Sequence, residues 1–294
     1  MRRKLSRILN LFVSLAWFAS RSSGRALIRL LGGTPAGEGV VFCYHAVPAR
    51  FAAGFAWQIE TLRRHATPVR ADHPGTVPRG MRWAAVTFDD GHCSVIENAL
   101  PVLRRHQVPA AIFFITGLLG QAAPWSGSDG YGQDDRYLSP EQLARLPFDD
   151  LLLAGSHTAT HPRVPALDDD GLCRELDEPR HTLEQLTAQP VTLFAFPFGA
   201  LNQASVQAAA AAGYSRIFTV EPRAAFRRER EFVTGRVVAD PDDWKLEFFL
   251  KLHGAYSWRS IAFALRDRIC KAHGNEEQLT VPDELSHSIE FRRG

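Results

Sequence analysis

Short apolar segments alternate with segments of helical periodicity from residue 39 onward. The apolar segments predict strands at 39–44, 83–88, 110–115, 151–154, 193–196 and 216–220. The helical pattern predicts helices at 55–65, 94–106, 168–186 and 204–212, and a short helix that begins with a capping box at Ser139. The repeated strand-then-helix order is typical of a parallel sheet with helices outside it. With this many units an α/β fold is predicted, and a closed or partly closed barrel is favoured over an open sheet.

The chain begins with a basic and apolar segment that stands outside this rhythm. Its longest apolar run, residues 8–19, is interrupted by Asn10 and Ser14, and it is shorter than the roughly 20 residues of a spanning helix. The segment also resembles a signal peptide, although no small-x-small cleavage site follows it. Three interpretations stay open: a signal or anchor, a helix on an anionic membrane surface, and a helix packed on its own domain.

These patterns divide the chain into three parts. Residues 1–38 form a basic, apolar helix or anchor, and residues 39–240 form the main domain. Residues 241–294 form a helical extension and a polar tail, with helical periodicity at 244–253 and 258–273.

Composition and charge exclude one class of partner. Of the 294 residues, 45% are hydrophobic and 22% are charged, which is ordinary for a globular protein. The net charge of +2 hides an asymmetry, because residues 1–37 carry seven basic groups and no acid. The remaining chain is mildly acidic, whereas a nucleic-acid binder usually shows a basic face, so we expect no nucleic-acid partner. Residues 1–31 are the candidate for contact with a membrane surface.

The cysteines bear on the compartment. Four cysteines are widely spaced, with no C-x-x-C pair, and this predicts free thiols rather than a disulfide framework. Free thiols favour a reducing compartment. We therefore expect a cytoplasmic or membrane-associated location rather than a secreted one, and the sequence leaves the oligomeric state open.

Side chains capable of chemistry cluster after three of the predicted strands. Asp89 and Asp90 follow the strand at 83–88, His157 and His161 follow the strand at 151–154, and the turn 197–199 follows the strand at 193–196. In parallel α/β barrels the active site forms at the carboxyl ends of the strands. The sequence therefore predicts that the three clusters meet at one rim.

The residue types at this rim suit a metal-assisted hydrolase. Two adjacent carboxylates repel each other, and a divalent cation would relieve that repulsion. One carboxylate and two imidazoles make a three-ligand metal site with positions left for water and substrate. The second carboxylate is then available as a general base. Taken singly, the carboxylate pair is also compatible with a solvated turn, and the histidine pair with a structural role.

Three motifs resemble those of the polysaccharide deacetylases, the NodB-homology group or carbohydrate esterase family four. They are T-F-D-D-G at 87–91, H-T-A-T-H at 157–161 and F-A-F-P-F-G at 194–199, in the order and spacing of that family. The segment Y-H-A-V at 44–47 resembles the entry strand of many members, and the likeness covers roughly residues 39–240. The fold that the resemblance implies is a distorted, incomplete (β/α) barrel.

The resemblance also implies roles for single residues. Asp89 would be the general base for a metal-bound water, and Asp90, His157 and His161 would hold a divalent metal, usually zinc. A backbone N–H near Phe198 would help to stabilise the oxyanion. The implied reaction removes N-acetyl groups from an N-acetylated sugar or a cell-envelope glycan. Hydrolysis of another linear amide, or glycan binding without catalysis, are the alternatives.

The sequence departs from the family pattern in two places. Many members carry an arginine where this chain has Ala195, and Arg236 is the candidate that would orient the base in its stead; the alternative for Arg236 is a surface ion pair. The general acid is unresolved between His45, at a strand end, and His253, which we interpret mainly as a helix residue.

Substrate contacts are predicted from the third motif and from one long loop. Pro197 and Phe198 belong to the motif, and Trp125 lies in the polar loop 124–137 with two tyrosines, Tyr131 and Tyr137. These aromatic side chains are candidates to stack on sugar rings, although the loop is also compatible with a flexible surface segment.

Overall fold

The computed structural model describes residues 2–122, 135–261 and 263–265, and these contain a parallel sheet flanked by helices. The strands are β1 (Glu38–Tyr44), β2 (Thr67–Pro68), β3 (Arg82–Phe88), β4 (Ala110–Phe114), β5 (Leu152–Ser156), β6 (Leu193–Ala195), β7 (Arg216–Phe218), β8 (Val233–Thr234) and β9 (Val237–Val238). The helices are α1 (Arg2–Leu30), α2 (Ala52–His65), α3 (Leu100–His106), α4 (Pro140–Ala144), α5 (Asp169–Leu172), α6 (Glu178–Thr187), α7 (Gln203–Ala211) and α8 (Lys245–Leu252).

The nine strands form one sheet in the order β8-β7-β6-β5-β4-β3-β1-β9, and β2 pairs with β3 beside this path. Every pairing is parallel, as a strand-helix repeat requires. The order runs from β8 at one end to β9 at the other, so the sheet curves into a half-barrel that stays open. The predicted distorted, incomplete (β/α) barrel is confirmed.

The six predicted strands and the main helices are present, with ends shifted by a few residues. Ser139 and Gln142 form the predicted capping box of α4, and the Asp168 side chain accepts from Gly171 N–H at the start of α5. One turn of π-helix, Val95–Ala99, precedes α3, where Pro101 provides no N–H for the regular pattern. Sequence periodicity missed β2, β8 and β9, because strands of two residues are too short to show alternation.

Alternation along the strands separates two apolar layers. In β3, Ala84, Val86 and Phe88 pack in the cluster that includes the flanking helices, whereas Ala85 packs in a second cluster with Phe113 and Phe218. The second cluster fills the inside of the half-barrel. Successive side chains of a strand point to opposite faces of the sheet. An odd-numbered residue directly after β3 therefore points, like Ala85, into the interior of the half-barrel.

Helix α1 packs along the extension rather than standing apart. Its inner face places Leu11, Leu15 and Phe18 against Tyr256 and its apolar neighbours, and Ser14 there is fully buried. Of the three interpretations of the N-terminus, packing on the chain's own domain holds for this face. No described helix is both long and apolar enough to cross a membrane.

The basic charge of the N-terminal segment is partly neutralised within the protein. Arg7 Nε lies 2.6 Å from Glu247 Oε2, and Arg21 and Arg25 lie 2.7 and 3.1 Å from Glu38 Oε1. The charge asymmetry read from the sequence therefore overstated the free positive charge of this segment. Most of the helix predicted at 258–273 and the polar tail lie outside the described residues, and the division into three parts at residues 38 and 240 stays a prediction.

Candidate active site

The three sequence clusters meet at the carboxyl ends of β3, β5 and β6. Asp90, Thr158, His161 and Phe198 all adopt positive φ, at 71°, 70°, 64° and 59°. This conformation is uncommon for residues with a Cβ, and it concentrates where surrounding structure holds a functional geometry. Four of the eight described non-glycine residues with positive φ thus lie in this one place.

Gly91 is required by the turn that follows the carboxylate pair. Its φ is +79°, and a Cβ added there would lie 2.5 Å from Phe114 Cδ1. A side chain is therefore excluded both by the backbone conformation and by β4 beneath it. The glycine of the T-F-D-D-G motif therefore has a physical role, which is to let the backbone after Asp90 turn closely past Phe114.

Asp90, His157 and His161 form a compact set of ligand atoms. Asp90 Oδ1 lies 3.6 Å from His157 Nε2 and 3.8 Å from His161 Nε2. Ligands held at about 2 Å by a tetrahedral zinc are about 3.3 Å apart, so these separations suit one ion between them. Asp90 Oδ1 is also buried without a hydrogen-bond partner, a costly state that a cation would relieve.

Each of the two histidines places its Nε2 atom near Asp90 Oδ1. His157 Nδ1 lies 2.7 Å from the Ala195 carbonyl oxygen, which can only accept, so Nδ1 carries a proton, and in the neutral ring the lone pair is therefore on Nε2. Burial, followed by the charge of His157, lowers the pKa of His161 to about 4. The pKa of Asp90 is held below its usual value, because the hydrogen bond from His92 and the charges of nearby histidines outweigh the effect of burial. The donors therefore fit a divalent cation.

Glu175 fixes the histidine loop, and the sequence motifs did not reveal it. Its Oε2 accepts from Ala159 N–H at 2.8 Å and Thr160 N–H at 2.9 Å, and its Oε1 accepts from Thr160 Oγ1 at 2.6 Å. Glu175 is buried beside Leu176 on the inner face of a predicted helix. The sequence signal that could have identified Glu175 is an acidic residue at a position of the predicted helix where the periodicity calls for an apolar one.

Asp89 lies inside the half-barrel, in a fork-shaped ion pair with Arg236. The two guanidinium nitrogens Nη1 and Nη2 lie 2.6 and 2.7 Å from Oδ1 and Oδ2, and Arg236 is fully buried above the rings of Phe113 and Phe218. Burial alone would raise the pKa of Asp89, but the charge and hydrogen bonds of Arg236, with His157, hold it at about 2. Asp89 is therefore ionised at neutral pH.

Cys43 and His45 complete the surroundings of Asp89. The thiol of Cys43 lies 3.2 Å from Asp89 Oδ2, and one ligand atom each of Cys43, His45 and Asp89 lie within 4.8 Å of one another. This is a second geometric candidate for a metal. It is the poorer one, because Asp89 is already paired with the Arg236 cation, and burial raises the pKa of Cys43 well above its usual value. Sequence reasoning also missed Cys43, since it stands in an apolar strand.

The two candidate acids lie in different parts of the molecule. His45 is exposed beside Asp89 at the end of β1. His253 caps α8, where its Nδ1 hydrogen-bonds the Phe249 carbonyl oxygen at 2.8 Å and its ring contacts Phe18 of α1. A catalytic role for His253 is therefore wrong, as the helical spacing around it had indicated.

His92 and Tyr137 pack beneath the carboxylates. His92 Nε2 lies 3.5 Å from Asp90 Oδ2, and the rings of His92 and Tyr137 are 5.1 Å apart. Only 1% of Tyr137 is exposed, so the expectation that it stacks on a sugar ring is wrong. Trp125 and Tyr131 lie outside the described residues.

Phe198 is the aromatic side chain presented at the rim. It is 51% exposed, and its ring lies 4.8 Å from that of His161 and beneath the Arg163 guanidinium. Pro197 is buried, so its ring shapes the turn and does not offer the sugar contact that we expected. Predicted site residues from four separate segments thus surround Asp89 and Asp90.

The sequence of the barrel matches a known family. Residues 76–217 match the family sequence model described as polysaccharide deacetylase. These residues, just under half of the chain, form a polysaccharide deacetylase domain. The match contains the carboxylate pair, the histidine pair and the turn at Phe198, and it ends before Arg236.

Individual polysaccharide deacetylases are distant relatives. The chain is 24% identical over 212 residues to YxkH of Bacillus subtilis, a match that covers 68% of this chain and 71% of that protein. It is 21% identical over 176 residues to the poly-beta-1,6-N-acetyl-D-glucosamine N-deacetylase of Staphylococcus aureus, covering 57% of each. The crystal structure of a polysaccharide deacetylase from Bacillus cereus superposes with a TM-score of 0.59 at 21% identity, over 73% of this chain and 69% of that one. This likeness establishes a shared fold.

Proposed function

We propose that this polysaccharide deacetylase is a metal-dependent hydrolase that removes N-acetyl groups from an N-acetylated glycan. The observation that carries the proposal is the difference between two adjacent carboxylates, one of which has a counter-charge and one of which has an oxygen without a hydrogen-bond partner. Asp89 is held as an anion by Arg236, whereas Asp90 has a buried oxygen without a hydrogen-bond partner near the Nε2 atoms of His157 and His161. A glycan-binding protein without catalysis has no use for such an arrangement, which is costly to bury.

Asp90, His157 and His161 are the residues that would hold the metal. The nitrogen and oxygen donors suit zinc among the common divalent ions. Such a cation supplies Lewis acidity, which polarises the amide carbonyl and makes water more acidic. The unusual backbone of Asp90 and His161 and the Glu175 contacts keep the ligand atoms together before the metal binds.

Asp89 serves as the general base. A carboxylate offers about four lone pairs, of which two accept from Arg236 and one faces the Cys43 thiol. One acceptor position on Oδ1 is therefore open to a proton from the attacking water. Because of its low pKa, Asp89 would be a weak base if it were free in water. Its contribution to the rate therefore depends on its fixed position beside the metal ligands.

His45 serves as the general acid for the leaving amine. It lies beside Asp89 and is exposed, so it can exchange protons with solvent. Phe198 borders the same rim with half of its surface exposed, which suits an apolar face of a sugar ring. The substrate class follows the name of the Staphylococcus aureus relative, whose substrate is a polymer of N-acetylglucosamine.

The test is acetate release from N-acetylglucosamine oligomers, measured together with metal content by mass spectrometry. We expect one divalent ion per chain and acetate release that a chelator abolishes and zinc restores. Asp89→Asn should lower kcat by at least about a hundredfold and keep the metal, and the exposed Asp150→Asn should change neither. A chain without stoichiometric metal, or an Asp89→Asn variant of full activity, would contradict the proposal.

We also propose that α1 lies on a membrane surface. Its outer face exposes a continuous apolar stripe: Leu5, Ile8, Leu9, Phe12, Val13 and Trp17. The residues that precede the stripe in the sequence are Arg2, Arg3 and Lys4, a composition that suits anionic lipid headgroups.

Vesicle sedimentation of the full chain tests the membrane contact. Leu9→Ser and Phe12→Ser should each lower the fraction bound to anionic vesicles, because each removes apolar surface that would be buried in the membrane. Neither substitution alters the inner face of α1. Ser23→Ala, at an exposed polar position of the same helix, is the matched control. Equal sedimentation of all variants would refute a role for the stripe.

A further inference from the structure

A basic cavity lies between α1 and the opposite end of the sheet from the active site. It has a volume of about 310 Å³, and Arg21, Arg25, Arg29 and Arg82 line it together with one acid, Glu38. Its walls also include His65 and His253. A volume near 300 Å³ is at the small end of ligand sites, large enough for a compact anion.

The position of the cavity separates it from the deacetylase chemistry. Glu38 and Arg82 are the first pair in the β1–β3 register, and Tyr44 and Phe88 are the last. Seven residues of strand span about 20 Å, so the cavity lies about that far from Asp89. It is therefore remote from the residues that would carry out deacetylation.

The charges in the cavity do not balance. The Glu38 carboxylate accepts hydrogen bonds from Arg21 and Arg82, and Arg25 lies 3.1 Å from its Oε1. One negative charge thus meets three of the four guanidinium groups, and Arg29 adds a further positive charge at the rim. Burial, with repulsion from Arg82, Arg29 and Arg21, lowers the pKa of Arg25 despite its ion pair with Glu38.

Arg82 shows where a ligand would complete the arrangement. Its Nη2 donates to Glu38, but its Nε is buried without a hydrogen-bond partner. A buried N–H that lacks an acceptor costs free energy. An anion in the cavity would offset the excess positive charge of the arginines, and a small rotation of the Arg82 side chain would let its Nε donate to that anion.

We infer that this cavity binds a phosphate monoester dianion. Planar guanidinium groups donate two parallel hydrogen bonds to phosphate oxygens, and several of them arranged around one anion are typical of phosphate sites. The dianion matches the excess of positive charge better than a carboxylate or a sulfate ester, which carry a single charge. The phosphate belongs either to a soluble metabolite or to a lipid headgroup beside the exposed stripe of α1.

Calorimetric titration of the full chain with inorganic phosphate and with glycerol 3-phosphate tests the site. We expect saturable binding with a dissociation constant at or below about 1 mM. Arg25→Gln should weaken it about tenfold, since a charge-assisted hydrogen bond is lost. Arg29→Gln, at an exposed position that α1 does not use for packing, should weaken it severalfold. Arg105→Gln removes the same charge from the exposed face of α3 and should leave binding unchanged.

Two results would overturn the inference. One is the absence of saturable phosphate binding, and the other is equal affinity in Arg29→Gln, Arg105→Gln and the unaltered chain. Arg29→Gln decides the matter if Arg25→Gln fails to fold. Acetate release should be unchanged in Arg29→Gln, because the cavity lies at the far end of the sheet.

Vesicles distinguish the two sources of phosphate. Phosphatidic acid presents a phosphate monoester, and phosphatidylserine, matched for surface charge, does not. Tighter sedimentation with phosphatidic acid that Arg29→Gln abolishes identifies a lipid ligand. Equal sedimentation with both lipids, together with phosphate binding in the titration, identifies a soluble ligand. Phe12→Ser should keep phosphate binding in either case, because it alters only the outer stripe.

Discussion

Arg236 holds Asp89 through both guanidinium nitrogens, although 147 residues separate the two along the chain. The pair lies inside the half-barrel, where Arg236 is fully buried and Asp89 is 3% exposed. Arg236 Nη1 also donates to Thr87 Oγ1 at 3.1 Å, and its Nε donates to the Thr219 carbonyl oxygen. Ala195 of the third motif packs in the same inner cluster as Phe113 and Phe218, the two rings over which Arg236 lies.

Replacement of Arg236 should lower both activity and stability. Arg236→Gln leaves a buried carboxylate without its counter-charge, so the free energy of unfolding should fall by about 3–5 kcal/mol. Arg236→Lys keeps the charge but loses the fork, and we expect kcat to fall at least about tenfold with a smaller loss of stability. Urea denaturation and acetate release measure the two effects.

The double variant Arg236→Gln with Asp89→Asn provides the control. Because neither charge of the pair remains in it, its stability should recover part of the loss seen in Arg236→Gln alone. Additive losses in the double variant would show that the ion pair is not the reason for the effect.

Glu175 should control metal affinity without touching the metal. Glu175→Ala leaves the N–H groups of Ala159 and Thr160 without acceptors, so the loop between His157 and His161 loses its fixed shape. We expect the dissociation constant for zinc to rise about 10- to 100-fold in competition with a chelator.

Glu175→Gln is the matched variant for that measurement. Its amide oxygen can still accept from the two N–H groups, so most of the zinc affinity should return. Similar affinity in Glu175→Ala and the unaltered chain would remove Glu175 from the positioning of the histidines.

Gly91→Ala should destabilise the fold by about 1–3 kcal/mol, because it forces a Cβ into positive φ and toward the Phe114 ring. Gly24→Ala is the matched control, since no atom lies within 4 Å of the Cβ it would add on α1. A helical glycine replaced by alanine should stabilise the protein by about 0.5–1 kcal/mol. Thermal unfolding of both variants separates the two effects, and a neutral Gly91→Ala would contradict the close approach of β4.

His253 should make stability depend on pH below neutrality. Burial, followed by the charge of Arg82, lowers its pKa from 6.5 to about 4. The folded protein therefore binds fewer protons than the unfolded chain in this range, so the stabilisation is present above pH 6.5 and is lost as the pH falls toward 4. His253→Phe keeps a ring stacked on Phe249 and cannot titrate. Between pH 7 and 4.5 its free energy of unfolding should therefore fall by less than that of the unaltered protein.

Urea denaturation at the two pH values measures this difference. His181→Phe, at a side chain that is 56% exposed, is the control and should follow the unaltered protein. If His253→Phe lost as much stability as the unaltered chain, the titration of His253 would not be the cause.

The sequence by itself determined the parts of the fold and site that depend on local order. Apolar runs of strand length fixed β1, β3, β4 and their neighbours, and the carboxyl ends of parallel strands necessarily share one edge. Asp89, Asp90, His157 and His161 follow such strands directly, so their meeting was predictable.

Only the tertiary structure decided the contacts made across the chain. The local sequence around Arg236 is the same for a surface ion pair and for a buried two-point ion pair with a carboxylate. The sequence could therefore suggest Arg236 as the partner of Asp89, but only the packing of β8 and β9 in the sheet showed that the two residues are in contact. Tyr137 was expected at the surface and is buried against His92, and Glu175 gave no motif at all.

The N-terminal segment shows the same division. Its composition predicted an apolar and basic helix, which α1 is. The helix has two faces, and only the packed structure shows which face contacts the rest of the protein and which is exposed. The inner face pairs its arginines with Glu38 and Glu247, and the outer face exposes apolar side chains. Charge counted along a sequence cannot separate the two, because it contains no information about which groups are neutralised at a distance.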